Sequence, residues 1–85
     1  MDHLVTLLVV DGMASVSYAS LPTEVRETAE RILTRKQLDV FKLWCAGAGT
    51  ARIAIMLDVA EPTARRHLKR AQQKIKIEME REVAA

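Results

Sequence analysis

A run of basic side chains late in the sequence has the clearest chemical potential. It lies on a predicted helix that begins near Glu61, the only acid in the run. The basic members are Arg65, Arg66, Lys69, Arg70, Lys74 and Lys76. Basic side chains along an exposed helix can contact phosphates and release condensed counterions, and an arginine can contact guanine O6 and N7 with both arms of its guanidinium. A solvated surface helix is the alternative, but the scarcity of acids favours phosphate contact.

Other residues that often carry chemistry are isolated here. Cys45 is the only cysteine, so it cannot form a disulfide within the chain, and beside Trp44 it is predicted to be a buried small side chain. His3 and His67 have no second ligand at a useful spacing, so we expect neither a metal nor another cofactor. We expect His67 to pack or to contact phosphate. No serine or carboxylate has a base partner, so we do not expect an enzyme.

The basic run needs a scaffold, and the residues before it predict one. Residues 52–57 form a short predicted helix, and Asp58 lies at a tight turn, where aspartate tolerates a left-handed backbone. Pro62 suits the first turn of the second helix, where its missing N–H is harmless. The inward side chains of the two helices are predicted to be Ile53, Ala54, Leu57, Ala64, Leu68, Ala71 and Ile75. We expect Val59 under the turn, and a tail over residues 76–83 that stays helical but loses this apolar stripe.

Two further helices are predicted before this pair. Thr23 is the expected N-cap of a helix from about Glu24 to Ile32. Thr34 and Gln37 have the spacing of a capping box for a second helix, which Gly47 and the residues after it end. We expect the aromatic residues of that helix, Phe41 and Trp44, in the core. The third helix then begins at Gly49 or Thr50.

The N-terminal residues favour a β-hairpin. Residues 3–10 are apolar and rich in β-branched types, and Asp11-Gly12 is a preferred pair for a type I′ turn. Residues 13–19 alternate, with Ser15 and Ser17 on the predicted solvent face. A helix is the open alternative, because Leu4, Leu7 and Leu8 also fit helical spacing.

Composition limits the protein class. The 85 residues suffice for one small domain, and 49% hydrophobic with 28% charged residues is too apolar for disorder. The formal net charge is +2, so the distribution of charge is more informative than the sum. The apolar run of residues 4–10 is too short to span a bilayer and follows an acid, which is unlike a signal peptide. We expect a cytoplasmic protein that does not bind membranes.

From Leu33 to Ile75 the chain resembles the helix-turn-helix shared by LuxR-type response regulators and region 4 of bacterial sigma factors. The similarity begins with Leu33-Thr34-Arg35-Lys36-Gln37-Leu38. It continues through Ile53-Ala54, Leu57-Asp58-Val59, Thr63-Ala64, His67-Leu68 and Lys74-Ile75. The family commonly has glycine at position 58 and serine or threonine at position 60. Ala60 therefore lacks the side-chain N-cap, a loss that typically costs ~1 kcal/mol.

The resemblance implies double-stranded DNA as the partner. It assigns base contacts mainly to Arg65, Arg66 and Lys69. Further candidates for contact with DNA are Pro62, Thr63, Thr50, Arg52, Arg70 and Lys74. The long final helix without a visible break is more like sigma region 4.

The sequence therefore predicts a mainly α protein with an N-terminal hairpin, which binds DNA and regulates transcription. The expected division is a hairpin arm at 1–20, a helix-turn-helix domain at 21–76 and a helical tail at 77–85. A homodimer is expected, joined by the hairpin or the tail. With no receiver domain or sigma region 2 in the sequence, the small size suits a phage regulator. The alternatives are a sigma-like adaptor that binds RNA polymerase or a sigma factor without contacting DNA, and a phage DNA-packaging component.

Overall fold

The computed structural model describes residues 17–84, with side chains as far as Arg81. Within this range, a single 3-10 turn at Tyr18–Ser20 is followed by four α-helices. They are α1 (Thr23–Ile32), α2 (Arg35–Cys45), α3 (Thr50–Leu57) and α4 (Glu61–Ala84). Within residues 17–84 there is no β-strand, which confirms the mainly α prediction.

The predicted hairpin lies almost wholly outside the described residues. Only the end of its second strand can be checked, and there the prediction of an extended strand is wrong. Residues 18–20 form a 3-10 turn, with the Ser20 N–H donating to the Ser17 carbonyl at 2.9 Å. The Tyr18 ring packs edge-on against Phe41, at 6.1 Å between centroids and 86° between planes. This tertiary contact outweighs the local alternation on which the strand prediction rested.

The start of α1 also differs from the prediction. Thr23 is the first helical residue and does not cap the helix; the carbonyl of Pro22 accepts from the Val25 and Arg26 N–H groups at 3.0 and 3.2 Å. The Thr23 hydroxyl instead accepts a hydrogen bond from the Arg26 guanidinium at 3.2 Å. Pro22 therefore takes the N-cap position, and α1 begins without a side-chain cap.

Both ends of α2 follow from its sequence. The Gln37 N–H donates to the Thr34 hydroxyl at 3.2 Å, and the Thr34 N–H donates to Gln37 Oε1 at 3.1 Å, so the predicted capping box is confirmed. At the other end Gly47 has a φ of 99°, and the Ala48 N–H donates to the Leu43 carbonyl five residues back at 3.1 Å. Glycine takes this left-handed conformation without a Cβ clash, and it ends the helix.

Two apolar clusters fill the core, and α4 contributes to both. The first cluster joins α1, α2 and the later turns of α4, and its members are Leu21, Val25, Ala29, Phe41, Cys45, Ala71, Ile75 and Met79. The second lies between α2, α3 and the first turns of α4, and its members are Val40, Ile53, Ala54, Ala64 and Leu68. Phe41 is fully buried as expected, whereas Trp44 is only half-buried and packs against both clusters.

The apolar stripe of α4 extends further than predicted. Met79, four residues after Ile75, is buried in the first cluster with 4% of its surface exposed. The expectation that the stripe ends at Ile75 is therefore wrong. Methionine is a flexible side chain that fills irregular gaps, and α1 provides the surface on which it packs. The helix passes the predicted domain boundary after residue 76 without a break.

Candidate nucleic-acid interface

The junction of α3 and α4 is a tight turn built on one left-handed residue. Asp58 has φ 54° and ψ 52°, as its position predicts. The Val59 N–H then donates to the Ala54 carbonyl five residues back at 3.0 Å, which closes the end of α3. Val59 itself is half-buried against the second cluster. This turn holds α4 against α3 in the arrangement of a helix-turn-helix.

The first turn of α4 has no side-chain cap from the residue before it. The Ala60 carbonyl accepts from the N–H groups of Thr63 and Ala64, both at 3.0 Å. Pro62 lies in this first turn, as predicted, and its missing N–H falls where no partner is needed. Glu61 puts an acid in the same turn, where the partial positive charge of the helix N-terminus favours it.

The basic side chains after this turn lie on the surface. Arg65, Arg66, Lys69 and Arg70 are all exposed. Pro62 is exposed and Thr63 half-buried, and spacings of three and four residues align Pro62 with Arg66, Lys69 and Arg70. Among the described residues, no carboxylate pairs with Arg66, Lys69 or Arg70. Their three positive charges therefore lack a local counterion from this part of the chain.

The two candidates on α3 lie at its start and on its outer face. Thr50 is the first helical residue and is half-buried, with Gly49 in extended conformation before it. Arg52 is exposed and lines a shallow groove of about 200 Å³ together with Leu43 and Met56. Ile55 and Met56, which the sequence did not single out, are large apolar side chains with 82% and 54% of their surface exposed.

Lys74 has a contact that the sequence did not predict. Its ammonium donates to Gln37 Oε1 at 2.9 Å, and this same oxygen accepts the Thr34 N–H of the capping box. Gln37 is buried with 5% of its surface exposed. The contact directs the Lys74 ammonium toward α2, although the residue as a whole is exposed like the basic residues of the first turns.

A second unpredicted contact involves Glu61. Its carboxylate accepts a hydrogen bond from the Arg65 guanidinium one turn later. The spacing of four residues is the signal from which this pair could have been predicted. No comparable signal existed for Lys74 and Gln37, which are 37 positions apart.

His67 lies partly below the surface and Cys45 fully below it. His67 is half-buried, and with Val40, Leu57 and Val59 it lines a cavity of about 170 Å³ between α2 and the turn. Cys45 is 2% exposed, as expected, and burial raises the pKa of its thiol to about 11. The thiol therefore stays protonated at neutral pH, which makes it a poor nucleophile.

Tyr18 is likewise buried enough to change its acidity. Burial, followed by the hydrogen bond that its hydroxyl donates to Glu30 at 3.1 Å, raises its pKa to about 12. Among residues 17–84 there is no cluster of three side chains suited to hold a metal ion. In the same part of the chain, every helix is too short or too polar to cross a membrane.

The fold and the exposed basic helix together define a helix-turn-helix protein of the DNA-binding class. Residues 31–85 match the model of the GerE family, described as bacterial regulatory proteins of the luxR family. The match spans nearly two thirds of the sequence, and the chain belongs to this family. It is accordingly a DNA-binding regulator of transcription.

No curated protein and no solved structure matches the chain significantly. The family match supports LuxR-type DNA binding. It gives no support to a phage origin, to a polymerase adaptor or to a packaging component.

Proposed function

We propose that this protein binds specific sequences in double-stranded DNA by inserting the first turns of α4 into the major groove. One observation carries the proposal: Arg66, Lys69 and Arg70 are exposed along one line of α4, with no carboxylate partner among the described residues. In helix-turn-helix proteins the N-terminal residues of the second helix contact base edges, while the first helix crosses the backbone. Membership of the family supports DNA binding in general. The exposed basic residues support the assignment of base contacts to α4 and of phosphate contacts to α3.

The proposed contacts follow the position of each residue on the two helices. Arg65, Arg66 and Lys69 contact bases, since they lie in the first turns of α4 and project from the surface. Arg70, one position further, contacts phosphate. Pro62 and Thr63 lie against the DNA where α4 enters the groove. Lys74 is left out of this set, because its ammonium is bonded to Gln37.

The contacts to the sugar-phosphate backbone of the DNA are assigned to α3. Thr50 lies at the N-terminus of that helix, where N–H groups and the helix dipole favour a phosphate. Arg52, exposed on the outer face of α3, contacts a second phosphate. Together with the α4 contacts they would orient the domain along the duplex.

We also propose that the protein acts as a homodimer on paired half-sites. A single small module makes limited contact with DNA, and modules of this kind commonly bind as dimers. Light scattering at micromolar concentration, with and without DNA, tests this: a strict monomer under both conditions would rule it out. Because its ligand is bacterial DNA, the proposed location is the cytoplasm.

The proposed function can be tested by selecting bound duplexes from a random pool at a low and a high salt concentration. We expect an enriched sequence, bound more weakly as salt rises because each phosphate contact releases counterions. Two-fold symmetry in that sequence would support the dimer as well. Recovery of no enriched sequence at either concentration would overturn specific recognition.

A further inference from the structure

Glu61 is an unusual residue for a surface that contacts DNA. It opens α4 and is the only acid between positions 61 and 77. Its side chain is 43% exposed and that of Arg65 is 63% exposed, so their ion pair is on the surface. A carboxylate here repels the phosphates that the neighbouring basic side chains attract. On electrostatic grounds alone it weakens the binding of any duplex.

The same carboxylate restricts Arg65. An arginine recognises guanine only when its planar guanidinium is aligned with both O6 and N7, whereas a freely rotating arginine can bind any nearby phosphate. The Glu61 carboxylate occupies one edge of that guanidinium through Nη2. It thus limits the orientations of the side chain and leaves fewer of its N–H groups for phosphate.

We propose that Glu61 is a specificity-determining residue that positions Arg65 for base contact and lowers affinity for unrelated DNA. Glu61 acts on discrimination between sequences through Arg65, whereas its repulsion of phosphates lowers the affinity for all duplexes alike. This proposal rests on the proposed function, since it assumes that α4 enters the major groove.

A purely structural role of Glu61 makes a different prediction. An acid in the first turn stabilises the helix N-terminus, and Ala60 supplies no side-chain cap there. Glu61→Asp separates the two roles. Aspartate keeps the negative charge in the first turn, but its side chain is one methylene shorter and does not reach Arg65 in the same geometry.

The experiment compares the intact protein with Glu61→Gln, Glu61→Asp and the control Glu80→Gln. Glu80 is exposed on the same helix, more than five turns away, so its substitution matches the charge change without touching Arg65. Affinities are measured for the duplex selected by the intact protein and for an unrelated duplex of equal length, with a denaturation curve for each variant.

We expect Glu61→Gln to bind the unrelated duplex more tightly while the ratio of specific to unrelated affinity falls about tenfold, the scale of one bidentate base contact. Glu61→Asp should also lower that ratio, with an unchanged denaturation midpoint. Glu80→Gln should leave the ratio unchanged. In an Arg65→Ala background, Glu61→Gln should no longer alter the ratio, although it should still raise the affinity for both duplexes by removing a negative charge.

Three results would contradict this proposal or the function on which it rests. An equal rise in affinity for both duplexes with Glu61→Gln would reduce Glu61 to a simple repulsive charge. A lowered midpoint with an unchanged ratio would leave only the structural role. If the intact protein has no preference among duplexes, the proposed function itself fails, and this outcome is visible before any variant is made.

Discussion

The two halves of α4 have similar basic composition but opposite surroundings. Residues 61–70, here called the exposed half, bury only Ala64 and Leu68, and most of their cations have no carboxylate partner among the described residues. Residues 71–81, the packed half, bury Ala71, Ile75 and Met79 against α1 and α2. A basic residue on this helix is therefore available to DNA only where no hydrogen bond or ion pair to another part of the fold holds its side chain.

Polar contacts reinforce this difference. In the packed half, Lys74 bonds to Gln37, and Glu78 pairs with Arg31 at 3.4 Å and with Arg81 at 3.9 Å. These contacts tie the later turns of α4 to α1 and α2. Since the helix is continuous, the packed half determines the direction in which the exposed half projects.

The largest expected effect comes from Ile75→Ala in the packed half. Ile75 is 1% exposed, so its truncation removes buried apolar contacts and leaves a cavity, at a cost of ~2–5 kcal/mol in the free energy of unfolding. The matched control is Ile77→Ala, two positions further on the same helix and 57% exposed, which should change stability by no more than ~0.5 kcal/mol. Urea denaturation measures both, and equal losses would contradict the division of α4.

Arg66→Ala tests the exposed half. Loss of a bidentate base contact should weaken binding of the selected duplex by ~1–3 kcal/mol and relax the preference at one position of the site. Stability should not change, because Arg66 is exposed and has no partner among the described residues. Equal affinity for all duplexes before and after the substitution would refute the assignment.

Asp58→Ala tests the turn that joins the two helices. Alanine in the left-handed conformation costs roughly 1 kcal/mol and lacks the short polar side chain that eases it. Asp58→Gly should not lower stability, because glycine adopts this backbone without a Cβ clash. The denaturation midpoints of the two variants test this prediction. Equal midpoints for Asp58→Ala and Asp58→Gly would show that the turn does not require a left-handed residue.

Lys69→Ala and Lys74→Ala, at positions about one and a half turns apart on α4, should have the smallest effects. Lys69→Ala should relax the base preference at one position of the selected site, in keeping with its proposed base contact, and should also reduce the slope of log affinity against log salt because a cation near the phosphates is lost. Lys74→Ala should leave the salt slope unchanged, because Lys74 is bonded to Gln37. A slope reduced by Lys74→Ala would return this lysine to the DNA-contacting set.

Local chemistry explains why much of the fold was predictable. The capping box of Thr34 and Gln37, the glycine that ends α2 and the left-handed Asp58 each depend on residues within a few positions of one another. The buried face of α4 as far as Ile75 followed from helical spacing. The division into an arm, a domain and a tail, and the residue-level DNA contacts, stay predictions.

The errors occurred where distant residues decide the outcome. Tyr18 lies in a 3-10 turn and packs its ring against Phe41. Met79 is buried in the same apolar cluster as residues of α1. Neither partner is near in sequence, so neither pattern of residues revealed it. The Thr23 error is more local: the helix begins one residue earlier than predicted, so Pro22 takes the N-cap position and Thr23 is already helical.

The residue pattern is enough to predict the four helices, the ends of α2 and α3, and the arginine and lysine side chains on the face of α4 opposite its apolar stripe. These properties depend on backbone conformation and periodicity, which act over a few residues. Which of those cations remain available to DNA depends on how the helices pack. Lys74 is bonded to Gln37, whereas Arg66, Lys69 and Arg70 have no carboxylate partner among the described residues, because side-chain partners from separate helices meet only once the helices have packed.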